Sequence, residues 1–191
     1  MHRQPLLDQL AVYRGSHLSE LETVDRFIAF VERCPDCFER SLLEGHVTGS
    51  AWIVDDSGVK VLLTHHRKLD CWLQLGGHAD GDPDVLAVAL KEAREESGLE
   101  DFEMPDSRIF DLDIHRIPER KGVPEHWHYD IRYVLHATGS TAYTVSEESH
   151  DLRWVTLDEL PELTTDESML RMLEKWRAKI GARSDFPVAA E

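Results

Sequence analysis

The stretch Gly76–Leu99, GGHADGDPDVLAVALKEAREESGL, decides how this chain is read. It begins as a glycine loop and continues as a helix carrying three closely spaced glutamates. Asp82 stands where an N-cap belongs, Pro83 suits the first helical position, and Asp84 adds negative charge to the first turn. Gly98 is placed to end the helix, because a left-handed residue there costs glycine little. Glu92, Glu95 and Glu96 are related by three- and four-residue steps, so they project from one side of the helix. Leu86, Leu90, Ala93 and Ser97 form a separate strip that can pack on a sheet.

Three carboxylates at that spacing repel one another, and something must offset the repulsion. Water does so on an exposed helix face. A hard divalent cation also does so, with oxygen ligands and a bound phosphate completing its shell. Helix spacing alone favours the solvated face; the glycine loop immediately upstream shifts the balance toward the cation.

The stretch resembles the Nudix box, G-x5-E-x7-R-E-U-x-E-E-x-G-U, in which U is a bulky aliphatic residue. Gly77 opens it and Lys91–Leu99, KEAREESGL, closes it without a gap. Pro83 stands at the first glutamate, Lys91 at the arginine, and Ala93 is a small version of the aliphatic. The resemblance implies that the missing glutamate mainly supports the loop by pairing with the arginine. Asp82 or Asp84 is then expected to pair with Lys91, although an ammonium lacks the fork of a guanidinium.

The resemblance also implies an α/β/α sandwich with a mixed sheet, and hydrolysis of a nucleoside diphosphate linked to another moiety with Mg2+ or Mn2+ as cofactor. A diphosphate resists hydrolysis because incoming hydroxide meets dense negative charge, which metal ions neutralise while acidifying a bound water. By the same resemblance the metal ligands are Glu92, Glu95, Glu96 and the Gly76 main-chain carbonyl, with Glu92 holding metal or orienting the attacking water. A glutamate on a later loop, Glu147 or Glu148 by position, completes the metal site or serves as base.

The rest of the chain fits one domain with terminal additions: residues 1–44 as a helical extension, 45–181 as the Nudix-like domain, and 182–191 as a loose tail. A net charge of −16 over 191 residues opposes attraction to nucleic acid or an anionic membrane. It leaves room for a phosphorylated small molecule, because a bound metal reverses the local field. No apolar run approaches a membrane span, and MHRQPLLDQLAVYRG lacks the apolar centre of a secretory signal. With three cysteines, an odd number, the expectation is a cytoplasmic protein with reduced thiols. Cys34-Pro35-Asp36-Cys37 has the spacing of half a zinc site, but no second pair follows, and the two read as thiols near a helix end.

Residues 6–43 read as helical. Leu18, Leu21, Val24, Phe27, Ile28 and Val31 recur at helical intervals, and Ser19 with Glu22 offers a capping box. This region is expected to pack on its own domain, with a homodimer interface as the alternative. His46–Asp55 and Val59–His66 read as strands joined by a turn at Asp56-Ser57-Gly58. Arg67 and Lys68 at the end of the second strand are candidates for substrate phosphate; a solvated strand end is the other reading.

Beyond the box, Arg108–Ile117 alternates as a strand, and PERKGVPEHW is a loop marked by proline and glycine. In HWHYDIRYVLHA, His126, His128 and Asp130 share one face, while Trp127, Tyr129 and Ile131 share the other. Two histidines and a carboxylate suit a transition metal, yet a single strand spreads them too widely to surround one ion. His126 and His128 are therefore assigned to a substrate cleft, a solvent-facing strand being the alternative. Trp52, Trp127 and Tyr129 either stack on a base or sugar or fill the core. Arg153–Val155 is a short strand, and Thr164-x-x-Glu167 is a capping box ahead of a helix with Met169, Met172, Leu173 and Trp176 facing inward.

Two further functions fit the same stretch. Pro83 and Lys91 allow a module that senses a nucleotide without cleaving it, and Cys71 near the box raises a prenyl diphosphate isomerase. Nucleotide sugars, ADP-ribose-like compounds, dinucleoside polyphosphates and oxidised nucleotides all remain open as substrates.

Overall fold

A computed structural model of the chain describes residues 2–67, 69–120, 122–146 and 149–184. In chain order its elements are α1 (Gln4–Ser16), α2 (Leu21–Arg33), β1 (Gly45–Val54), β2 (Lys60–His66), β3 (Cys71–Leu73), β4 (Leu75–His78) and α3 (Val85–Ser97). These are followed by β5 (Phe102–Glu103), β6 (Asp111–Ile117), β7 (His126–Ala137), β8 (Ser149–Thr156), α4 (Leu160–Leu163) and α5 (Glu167–Ser184). Lys68, Glu147, Glu148 and most of the expected tail lie outside the described residues.

All ten residues of β1 are buried, as required of a strand paired at both edges and covered on both faces. One edge runs parallel to β7 from Gly45 beside Trp127 to Val54 beside His136. The other edge is shared antiparallel between β4, opposite Thr48–Ala51, and β2, opposite Ile53–Val54. β6 and β5 extend the sheet beyond β7, and β8 and β3 flank β2. The sheet is therefore mixed, with β1 and β7 as its parallel centre.

Alternation along β1 divides the core between two helical layers. Val47, Ala51 and Ile53 face α1, α2 and α3, whose buried side chains include Leu10, Phe27, Phe30, Val88 and Ala93. Trp52 and Val54 face α5, where Met169, Met172, Leu173 and Trp176 are all buried. Each such large apolar side chain contributes roughly 1.5–3 kcal/mol of transfer free energy. The architecture is the expected α/β/α sandwich with its N-terminal helices. Tyr129 stacks on Phe30 at 3.7 Å between ring centroids, so it is a packing residue, as is the fully buried Trp52. Trp127 packs at the edge of the first layer beneath the Arg26 guanidinium.

Several local expectations shift. Helix α3 starts two residues later than its sequence suggests: Asp82 accepts the Asp84 amide in a tight turn, and Asp84 is the N-cap, accepting the Ala87 amide at 3.1 Å. Pro83 lies in that turn, outside the helix. The buried stripe of α3 is Val85, Val88, Ala89, Ala93 and Ser97, while Leu86 and Leu90 are half-buried at its margin. Gly98 ends the helix at φ 70°, as expected.

Ser19 falls in a 3-10 turn and caps nothing; the N-cap of α2 is Glu20, whose carboxylate is engaged by Tyr13 and Lys175. Leu18 is 72% exposed and takes no part in the core. At α5, Asp166 accepts the Ser168 and Met169 amides, and Thr164 serves only to accept the Asp166 amide. No helix among the described residues is long and apolar enough to cross a membrane.

Candidate active site

Strand β4 delivers Gly76 and Gly77 to the C-terminal half of α3. Side-chain alternation points residue 77 toward the helix and residue 76 toward the other face of the sheet. A Cβ on Gly77 would lie 2.5 Å from the carboxylate carbon of Glu92, so only glycine admits that carboxylate. A Cβ on Gly76 would run into Ser50. The Gly76 amide, at the open edge of β4, donates to Oε1 of Glu96 at 3.1 Å. Two of the three box glutamates thus converge on one Gly-Gly peptide, and Glu96 is only 8% exposed.

Glu95 sits differently. Its side chain is 60% exposed and is paired with Lys91, whose ammonium lies 3.3 Å from Glu95 and 3.2 Å from Glu92. Lys91 pairs with Glu95, four residues along the helix, and with the adjacent Glu92 rather than with Asp82 or Asp84, which are occupied by main-chain amides. The Glu92 hydrogen bond pushes the Lys91 pKa upward, so the ammonium stays charged beside them. The donor set is carboxylate and main-chain oxygen, which fits a hard divalent ion such as Mg2+.

The sheet face turned away from α3 carries three transverse polar rows. Asp111, Arg132, Ser50 and Gly76 form one; Asp113, Asp130, Thr48 and His78 the next; His115, His128 and His46 the third. Asp130 accepts from Thr48 at 2.7 Å, Ser50 at 2.8 Å, Gln74 at 3.2 Å and Arg132 at 2.7 Å. Asp111 accepts from Arg171 and Lys175 of α5 as well as from Arg132. Burial opposes ionisation of Asp111, but the Arg171 hydrogen bond and the Arg132 and Lys175 charges outweigh it and hold its pKa low.

His126 and His128 do share a face with Asp130, but Asp130 belongs to the network of Thr48, Ser50, Gln74 and Arg132. Other rings gather around His128 instead: His46 from β1 at 4.9 Å, His78 from β4 at 5.0 Å and His126 of the same strand at 5.3 Å between centroids. His46 and His78 escaped the sequence reading, since only the pairing of β1 with β4 and β7 brings them there. Arg67 is exposed and donates to the Ser149 carbonyl at 3.0 Å. A separate cavity of about 870 Å3 lies between α1 and α5, lined in part by Tyr13, Arg108 and Lys179, with none of the box glutamates in its wall.

The NUDIX domain profile matches residues 45–176, which spans β1 to α5 and includes the whole Gly77–Leu99 stretch. The chain belongs to the NUDIX family. Among solved structures, the Nudix fold recurs in a C. elegans Ap4A hydrolase at TM-score 0.58, 17% identity, over 71% of this chain and 98% of that one. The Methanosarcina mazei Go1 MutT protein gives TM-score 0.54 and 17% identity over 71% and 95%. A Clostridium perfringens hydrolase of the NUDIX family gives 0.50 and 25% over 70% and 97%. No curated protein matches. The N-terminal helices α1 and α2 precede the region the family profile covers.

Proposed function

We propose that this Nudix protein hydrolyses the diphosphate bond of a nucleoside diphosphate linked to another moiety, in the cytoplasm, with Mg2+ or Mn2+ held by Glu92, Glu95, Glu96 and the Gly76 carbonyl. The observation that carries the reading is the convergence of Glu92 and Glu96 on the Gly76–Gly77 peptide. Two carboxylates aimed at one glycine-lined edge form an acidic oxygen-rich cradle that a helix face in open water does not need. When bound, the ion supplies positive charge against the diphosphate and acidifies a coordinated water.

The chain's own residues supply the positioning. The Gly76 amide fixes the Glu96 carboxylate against the glycine loop. Glu92, whose side chain is 18% exposed, is near enough to the glycine loop to orient a water or take its proton. The Lys91 ammonium lies between the Glu92 and Glu95 carboxylates, within ion-pair distance of both. Arg67 is an exposed cation available to a substrate phosphate at the β2 end. Cys71 gives the isomerase reading no support, because burial pushes its thiol pKa upward rather than activating it.

The test is release of a phosphomonoester from a diphosphate panel covering dinucleoside polyphosphates, ADP-ribose, nucleotide sugars and oxidised nucleotides, with Mg2+, with Mn2+ and with neither. Metal-dependent release that falls by about a hundredfold or more in Glu96→Gln supports the assignment. Tight binding of a panel member without turnover would favour the sensing module, and full turnover by Glu96→Gln would overturn the role given to the box.

A further inference from the structure

The polar face of the sheet holds a second set of ligating side chains, on the opposite side of β4 from Glu92. One ring nitrogen from each of His46, His78 and His128 lies within 4.8 Å of the other two, and among the described residues no other group of three His, Cys, Asp or Glu side chains meets so closely. The three come from three strands. His46 is beside His128 in the parallel β1–β7 pairing, and His78 is opposite Thr48, one row along.

These rings are poorly satisfied as ordinary core residues. His46 is 3% exposed, and both its ring nitrogens are buried without a hydrogen bond; Nε2 of His128 is in the same condition. A buried nitrogen left without a partner is costly, and one ion held by His46 and His128 would satisfy one such nitrogen on each ring. Burial, with the neighbouring histidine charges, pushes His46 down to about 4 and His128 down to about 2, so both are neutral at physiological pH, the form that binds metal. His115 is tied to Asp113 at 3.0 Å and His126 to the Pro124 carbonyl at 2.8 Å, so these two frame the trio.

Donor chemistry then selects the ion. Mg2+ and Ca2+ take oxygen ligands, whereas imidazole suits Zn2+, Ni2+, Cu2+ and iron, and three histidines with one position left over is a zinc arrangement. Zn–N bonds of about 2.1 Å place ligand nitrogens roughly 3.4 Å apart, a closure that ring rotation supplies from the present spacing. We propose that His46, His78 and His128 bind one transition-metal ion, with Zn2+ the favoured occupant, on the sheet face opposite the box glutamates. The bound ion ties the starts of β1 and β7 to the residue that follows Gly76–Gly77, and so fixes the glycine peptide from behind.

The probes are ZnCl2 and CoCl2 added to chelator-stripped full-length protein. One equivalent of Zn2+ should bind in the presence of excess Mg2+, and Co2+ should give the intense visible absorption of a four-coordinate nitrogen site. His78→Gln and His128→Gln, both at partly buried positions where folding is less at risk than at the fully buried His46, should each weaken Zn2+ binding by about tenfold or more and abolish the cobalt band. Zn2+ should raise the melting temperature of the parent but not of these variants, and Glu96→Gln should retain the cobalt band. Absence of a stoichiometric site, or a cobalt band that survives both histidine substitutions or is lost with Glu96→Gln, overturns the proposal.

Discussion

Arg132 on β7 donates from Nε to Oδ2 of Asp130 on the same strand at 2.7 Å, and the two side chains are only 3% and 2% exposed. A second nitrogen of Arg132 reaches Asp111 at 3.2 Å on β6. Burial of a guanidinium is costly, and here three aspartate charges, Asp130, Asp111 and Asp113, outweigh that cost and hold the Arg132 pKa up. Arg132→Met should lower the free energy of unfolding by about 3 kcal/mol or more, because it strands buried carboxylates. Arg132→Met combined with Asp130→Asn should be less damaging than Arg132→Met alone, since the second change removes one stranded charge. Urea denaturation of the three proteins checks the order, and a double variant no better than the single one would show that the ion pair is not the source of the loss.

The same network sets the acid limit of the fold. Burial opposes ionisation of Asp113, but hydrogen bonding to His115 and the Arg132 charge bring its pKa below the usual carboxylate range; Asp111 is held low as well. In the unfolded chain these groups titrate near about 3.9, so the unfolded state takes up protons first as the pH drops. Their contribution to stability is therefore complete above that pH and is lost progressively below it, toward the folded values. Stability measured from pH 7 down to pH 3 should fall most steeply at the acid end. Asp113→Asn should start less stable at pH 7 and lose less on acidification; parallel curves for the two proteins would exclude Asp113 as a contributor.

Close packing of Gly77 on Glu92 makes a different demand. Gly77→Ala puts a methyl group 2.5 Å from the present carboxylate carbon, so Glu92 must swing away from the loop. Displacement of a reacting-site group by about 1 Å commonly costs on the order of a hundredfold in rate. The expected outcome is a loss of that order in kcat at saturating Mg2+, with the melting temperature little changed because Glu92 is a flexible side chain. Unchanged kcat would mean that Glu92 does not need its present position.

Much of this organisation was legible in the residues themselves. Alternation in HWHYDIRYVLHA separates Tyr129 and Ile131 from His128 and Asp130, and the sheet honours that separation. The period of Met169, Met172, Leu173 and Trp176 names the inner face of α5. What could not be read is strand register, because it is set by contacts between segments far apart in the chain. His46, Thr48 and Ser50 looked like part of an ordinary strand until β7 was laid beside them, whereupon each met His128, Asp130 or Arg132. Two caps differ for a local reason: at Asp82 and Asp84, and again at Thr164 and Asp166, the first oxygen forms its own turn and the second caps the helix.

Lys91 offers the sharpest test of how the box works without its arginine. The ammonium lies 3.2 Å from Glu92 and 3.3 Å from Glu95, so it shares the carboxylates assigned to the metal. It can act as a support, holding the glutamates in place, or as a competitor, neutralising charge that the divalent ion would otherwise meet. Its side chain is 60% exposed, and an exposed pair of this kind contributes no more than about 1 kcal/mol, so competition should dominate. Lys91→Met is accordingly expected to leave the melting temperature nearly unchanged and to lower the Mg2+ concentration needed for half-maximal turnover. Lys91→Arg, which keeps the charge, should stay close to the parent. Turnover titrated against Mg2+ for the three proteins separates the two roles: a higher Mg2+ requirement in Lys91→Met would make Lys91 a support and remove the competition argument.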